Sequence, residues 1–82
     1  MPSRITIYTT PQCGYCKMAK DFFKKNNLLF QEKDVVSDLG AREVMLTKSG
    51  QMSVPVIDVD GTIIVGFDQM RLKEVLQMRF PI

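Results

Sequence analysis

The sequence predicts an α/β domain in the order β-α-β-α-β-β-α, with a four-stranded mixed sheet and three helices. Three observations carry this. Residues 4–9 alternate apolar and polar with β-branched side chains, and a helical periodicity follows at once. A second strand-like run after that helix implies a right-handed parallel crossover. Near the end, Asp60-Gly61 separates two short β-branched runs, a strong hairpin signal that adds antiparallel strands.

Each element has its own local reason. In Arg4-Ile5-Thr6-Ile7-Tyr8-Thr9 the period of two reads as a strand, and Thr10-Pro11-Gln12 breaks it. From Cys13 to about Asn27, Cys16, Ala19, Phe22 and Phe23 share one helical face while Lys20, Asp21, Lys24 and Lys25 face water. Asn26-Asn27 stops that helix. Residues 28–34 form the second strand, with Leu29 and Phe30 supplying much of its apolar content. Ser37 or Asp38 caps a second helix running to Lys48, with Leu39, Val44, Met45 and Ala41 inward. Gly50 ends it, because glycine readily takes the left-handed conformation past a helix C-terminus. Residues 54–59 and 62–65 are the hairpin strands. Asp68 caps a last helix carrying Leu72, Val75, Leu76 and Phe80. The result is an α/β sandwich of thioredoxin-like type, held by burial of aliphatic and Phe side chains at about 25 cal/mol per Å².

Composition excludes several classes of function. The 82 residues are expected to form one domain, near the lower limit at which a hydrophobic core stands alone. A hydrophobic content of 45% argues against disorder. No apolar stretch approaches the roughly 20 residues needed to cross a bilayer, so no membrane association is expected. The first residues lack a signal peptide's apolar core and cleavage site, and a cytoplasmic location is expected. The net charge of +2 gives no indication of nucleic-acid binding. Residues 1–33 nevertheless carry six Lys or Arg against Asp21 and Glu32, a mildly positive region around the first helix.

Two cysteines and no histidine narrow the chemistry. Two thiolates cannot fill a four-coordinate zinc shell, so no metal site is expected. A disulfide-stapled secreted scaffold normally carries more cysteines at wider spacing. Cys13-Gly14-Tyr15-Cys16 instead reads as a redox pair. Cys13 falls at the start of a helix, where free N–H groups and the macrodipole favour an anion, so its pKa should lie below the free value of about 8.5. Lys17, one turn on, adds its charge. Cys16 lies one turn deeper on the same face, placed to resolve a mixed disulfide by attacking Cys13. Gly14 leaves the reactive sulfur clear of side-chain bulk, and Tyr15 projects outward beside it. Pro55, lacking a ladder donor, reads from its residue type alone as an ordinary strand-initiating proline.

With Tyr8-Thr9 before the cysteines, Ser49-Gly50-Gln51-Met52-Ser53-Val54-Pro55, and Gly66-Phe67-Asp68-Gln69, the chain resembles a glutaredoxin over nearly its whole length. The resemblance implies a cis Pro55 facing the reactive thiol and a Val54 backbone that pairs with the cysteinyl part of glutathione. It also implies that the segment opening the last helix receives the γ-glutamyl carboxylate, as helix N-termini do. The implied glutathione-binding residues are Tyr15, Ser53, Val54, Pro55, Gly66, Phe67, Asp68 and Gln69, with Cys13 and Cys16 catalytic. Three positions depart from the commonest family pattern. Gly14 replaces Pro, Thr10 stands where many members carry a Lys for the glycyl carboxylate, and Val65-Gly66-Phe67-Asp68-Gln69 replaces a Gly-Gly-x-Asp-Asp run. Arg42 and Lys48 are candidate replacements for the missing cation.

The resemblance implies a glutathione-dependent thiol–disulfide oxidoreductase reducing protein disulfides and glutathionyl mixed disulfides. Glutathione would be reductant and cosubstrate, disulfide-containing or glutathionylated proteins the partners, the enzyme a monomer without a tightly bound cofactor. One alternative is a redoxin reduced by thioredoxin reductase that donates electrons to ribonucleotide reductase. Another is an iron–sulfur scaffold in which Cys13 from two chains and two glutathione thiols complete a four-thiolate shell.

Overall fold

The computed structural model describes residues 4–76. It contains β1 (Ile5–Thr9), α1 (Gly14–Lys25), β2 (Gln31–Asp34), α2 (Leu39–Ser49), β3 (Val56–Val59), β4 (Thr62–Val65) and α3 (Gln69–Leu76). The expected order of elements is therefore present, in one sheet ordered β2-β1-β3-β4. β1 and β2 are parallel, and β3 pairs antiparallel with both β1 and β4. Phe80, expected on the last helix, lies outside the described residues.

The helices cover both faces of the sheet. On one face Ile5, Ile7, Ile57, Val59 and Ile64 meet Ala19, Phe22 and Phe23 of α1 and Leu72 of α3. On the other, Tyr8 and Val56 meet Ala41 and Met45 of α2, with Val35 beside them. Successive side chains of a strand point to opposite faces, so the central strand β1 feeds both cores. That is why it is buried almost throughout rather than showing a clean inside-outside alternation.

Local chemistry fixes the boundaries. Asn26 donates its Nδ2 to the carbonyl of Phe22 at 2.8 Å, and Asn27 adopts a left-handed φ of 56°. The Leu28 amide then folds back onto the carbonyl of Phe23 at 2.8 Å, closing the end of α1. This corrects the expected start of the second strand. Leu28 is consumed by the helix terminus, and Leu29 and Phe30 cross the gap to the sheet. Leu29 is consequently 87% exposed, whereas Phe30 packs against Phe23 at 5.3 Å between ring centroids.

Asp38 caps α2 by accepting from the Ala41 amide at 3.0 Å, and Gly50 closes it at a φ of 70°. Ala41 and Met45 are buried as expected, but Leu39 is 67% exposed and Val44 also faces solvent. At about 100° per residue, Leu39 stands roughly 200° from Ala41 around the helix, so both cannot face the sheet. In the hairpin Asp60 and Gly61 both take positive φ, the conformation a two-residue turn requires.

Candidate active site

Register gathers the site at one end of the sheet. β1 runs into the loop that carries Cys13, while Val56, which follows Pro55, stands opposite Tyr8. Val65, which precedes Gly66, stands opposite Val56. The segments at 10–13, 54–55 and 66–68 therefore emerge side by side, joined by the end of β2, where Asp34 stands opposite Thr9.

Cys13 is the N-cap of α1, in extended backbone conformation. Its amide donates to the carbonyl of Thr10, and its own carbonyl accepts from the Lys17 amide. Its sulfur accepts the Cys16 amide at 3.1 Å. A helix N-terminus thus aims one of its free donors at the Cys13 sulfur, the arrangement that stabilises a thiolate. Cys13 and Cys16 form a disulfide with Cα atoms 5.2 Å apart. Cys16 is only 1% exposed, while Cys13 opens to solvent. The outer sulfur is the one an incoming disulfide can reach; the inner one can reach only Cys13.

Around this pair the expected residues fall into separate groups. Tyr15 is exposed on the outer side of α1. A side chain at position 14 would meet open space, so Gly14 leaves the approach free without being demanded by packing. The Val54-Pro55 bond is cis, which corrects the expectation from residue type alone and agrees with the family resemblance. Ser53 is exposed, Val54 half-buried and Pro55 buried. Gly66 donates to the Pro55 carbonyl at 2.7 Å, so these two segments are directly bonded. Asp68 caps α3, accepting the Arg71 amide at 3.1 Å on its side chain and the Leu72 amide on its carbonyl. Phe67 and Gln69 line a shallow groove with Met18 and Phe22 between α1 and α3.

The two candidate cations are placed differently. Lys48 is held by Asp58 on β3, a carboxylate that is only 7% exposed. Arg42 lies along the outer side of α2, in a groove shared with Leu39, Leu46 and Met52. A second feature was not visible in the sequence. Cys13 lines a cleft of about 410 Å³ that is also lined by Glu32 and Asp34. Glu32 accepts from the Thr9 hydroxyl at 2.8 Å and from Lys20 Nζ at 2.9 Å. The Lys20 ammonium, and after it the Thr9 hydroxyl, hold the Glu32 carboxyl below its ordinary value, against an opposing effect of burial. Lys20 and Glu32 are twelve residues apart on different elements, so no local spacing signals the pair.

Residues 5–64 match the family model described as Glutaredoxin. A glutaredoxin-like 8.6 kDa protein in the rubredoxin operon of Clostridium pasteurianum is 41% identical over 73 residues, covering 89% of this chain and 97% of that one. The crystal structure of the thioredoxin-like protein BC3987 superimposes with a TM-score of 0.83 at 36% identity, covering 88% of this chain and 99% of that one. The glutaredoxin-like NrdH-redoxin from Escherichia coli, described as having a thioredoxin-like activity profile, gives a TM-score of 0.75 at 26% identity. That alignment covers 93% of this chain and 95% of the other.

Proposed function

The chain belongs to the glutaredoxin family, and from that premise we propose that it is a glutathione-dependent thiol–disulfide oxidoreductase acting on protein disulfides and glutathionyl mixed disulfides. The observation that carries this reading is the arrangement of Cys13 as helix cap with Cys16 buried behind it. The reduced Cys13 thiolate attacks one sulfur of the substrate disulfide. That S–S bond breaks, a mixed disulfide forms, and the departing thiolate takes a proton from water. Cys16 then attacks the Cys13 sulfur, releases the second substrate thiol and leaves the Cys13–Cys16 disulfide. Two glutathione molecules return the pair to the dithiol and leave as glutathione disulfide.

In this reading Val54, with Ser53 and Pro55 around it, meets the cysteinyl backbone of glutathione. The start of α3, from Gly66 through Gln69, takes the γ-glutamyl carboxylate, and Tyr15 flanks the entrance. The bond between Gly66 and Pro55 supports treating these segments as one binding edge. The enzyme acts as a monomer in the cytoplasm, where thiols are kept reduced.

A second reading has its own support. Thr10 occupies the position where many family members carry a Lys, and Lys48, one candidate substitute, is engaged by Asp58. The likeness to NrdH-redoxin points the same way. In that case thioredoxin reductase is the electron source and ribonucleotide reductase the acceptor. Reduction of a mixed disulfide with glutathione and glutathione reductase, run beside thioredoxin reductase, decides between them. Turnover with the glutathione system is expected; turnover with thioredoxin reductase alone overturns the first reading.

A further inference from the structure

We propose that Lys20 and Glu32 form a charge counterweight for the reactive thiol: Lys20 cancels the Glu32 carboxylate within the Cys13 cleft and thereby keeps the Cys13 thiolate available. The proposal rests on Cys13 being the attacking group, and it makes Lys20 and Glu32 positioning residues that act through Cys13.

The cleft brings together Cys13 at the cap of α1, and Lys17 and Lys20 along its first two turns, with Glu32 and Asp34 from β2. Asp34 is already turned toward backbone donors, its Oδ1 accepting the amides of Val36 and Ser37. Glu32 is turned the other way. Its Oε2 accepts from both Thr9 and Lys20, which fixes the carboxylate toward α1. The Thr9 hydroxyl is buried, so this orientation is set from within the fold. Thr9 is also the last residue of β1, and the carbonyl of the next residue, Thr10, accepts the Cys13 amide. Glu32 and Cys13 are thus both tied to one short backbone segment, residues 9–10.

A cleft of this volume is on the order of 10 Å across, comparable with the screening length at physiological ionic strength. An uncompensated carboxylate lining it raises the energy of a thiolate in the same cleft. With Lys20 attached, Glu32 presents a dipole instead of a charge. Lys17 has no ion-pair partner among the described residues, so its positive charge then offsets the Asp34 carboxylate, the other acidic group of the cleft. As a stabilising contact alone, a half-exposed pair of this kind contributes little. Its place in the cleft that Cys13 lines gives it a different consequence.

The test uses the full chain with Cys16→Ser, reduced, so that Cys13 is the sole thiol. Its alkylation by iodoacetamide is followed against pH at low salt. Lys20→Met is expected to slow alkylation near neutral pH about three- to ten-fold and to move the rate profile to higher pH. Adding Glu32→Gln should restore the parental profile to within about two-fold, and Lys20→Arg should keep it. Glu32→Gln alone should speed alkylation, which gives a readout even if the Met variant folds poorly. At about 1 M salt the differences should shrink. An unchanged profile in Lys20→Met, or a double variant as slow as Lys20→Met, overturns the proposal. Alkylation needs neither glutathione nor a reductase, so its outcome is independent of which electron donor serves the enzyme.

Discussion

The amide of Gly66 donates a 2.7 Å hydrogen bond to the carbonyl of Pro55. The bond extends the β3–β4 ladder one step beyond its last residue pair, Val56 with Val65. Immediately past it, a φ of +83° at Gly66 turns the chain toward Phe67 and the cap residue Asp68. The strand entry and the helix entry that flank the thiol are therefore fixed to each other rather than separately.

Replacing that glycine tests the coupling. A Cβ at Gly66 would meet nothing within 4 Å, so the only obstacle to alanine is the left-handed backbone. Gly66→Ala is expected to cost about 1–2 kcal/mol, and Gly66→Asn less, since Asn tolerates this conformation better. Urea denaturation with the cysteine pair held in one redox state reads the difference. An alanine variant as stable as the parent would mean that the chain reaches Asp68 by another route.

The two cysteines should separate by reaction. Cys13→Ser is expected to abolish every disulfide exchange. Cys16→Ser should keep removal of glutathione from a glutathionylated substrate, because the first attack needs only Cys13. It should lose reduction of an intramolecular protein disulfide, because nothing then resolves the adduct. Parallel assays of both substrates measure this, and loss of both activities in Cys16→Ser would contradict the division of labour.

What was legible in the sequence follows from how far each signal reaches. Helix α1 is marked by four apolar residues on one face and a thiol at its cap, all within a few turns, and it appears where expected. The hairpin is equally local, since Asp60-Gly61 alone specifies its turn. The misplaced residues are those whose environment is set from a distance. Leu29 reads as strand because it is apolar, yet the closure of α1 by Leu28 leaves it outside the sheet. Leu39 reads as core, yet the face of α2 is chosen by Ala41 and Met45. The Glu32–Lys20–Thr9 cluster joins three elements and becomes visible only once β2 lies beside β1.

The choice of face on α2 can be measured. Met45→Ala removes a fully buried side chain and should cost about 2–5 kcal/mol. Leu39→Ala, on the exposed side of the same helix, should change stability by less than about 0.5 kcal/mol. In a chain of this size the first loss consumes much of the total stability, so thermal unfolding should show a large drop in Tm. A large cost at Leu39 would show that its exposed side is covered in solution.

Lys48 and Asp58 link stability to alkaline pH. Asp58 is buried on β3, where it accepts the Gly61 amide at 2.7 Å as well as the Lys48 ammonium. The hydrogen bond that Lys48 donates to Asp58 is the main cause holding the Lys48 pKa above its ordinary 10.5, with burial opposing it. A raised folded-state value means that the charged amine is favoured by folding. This contribution is therefore fully present below the unfolded pKa and is lost as pH rises through the folded one. Stability should fall above about pH 10.5, and Lys48→Met should remove this part of the alkaline slope. The same variant should cost about 1–2 kcal/mol at neutral pH, because the Asp58 carboxylate stays buried with the Gly61 amide as its remaining donor. Half-exposure of Lys48 keeps that cost below the value for a fully buried pair. Asp58→Asn should retain the hairpin contact while losing the alkaline dependence, and urea titrations at pH 7 and pH 11 distinguish the two variants. An alkaline slope unchanged in both would show that the Lys48–Asp58 pair is not its source.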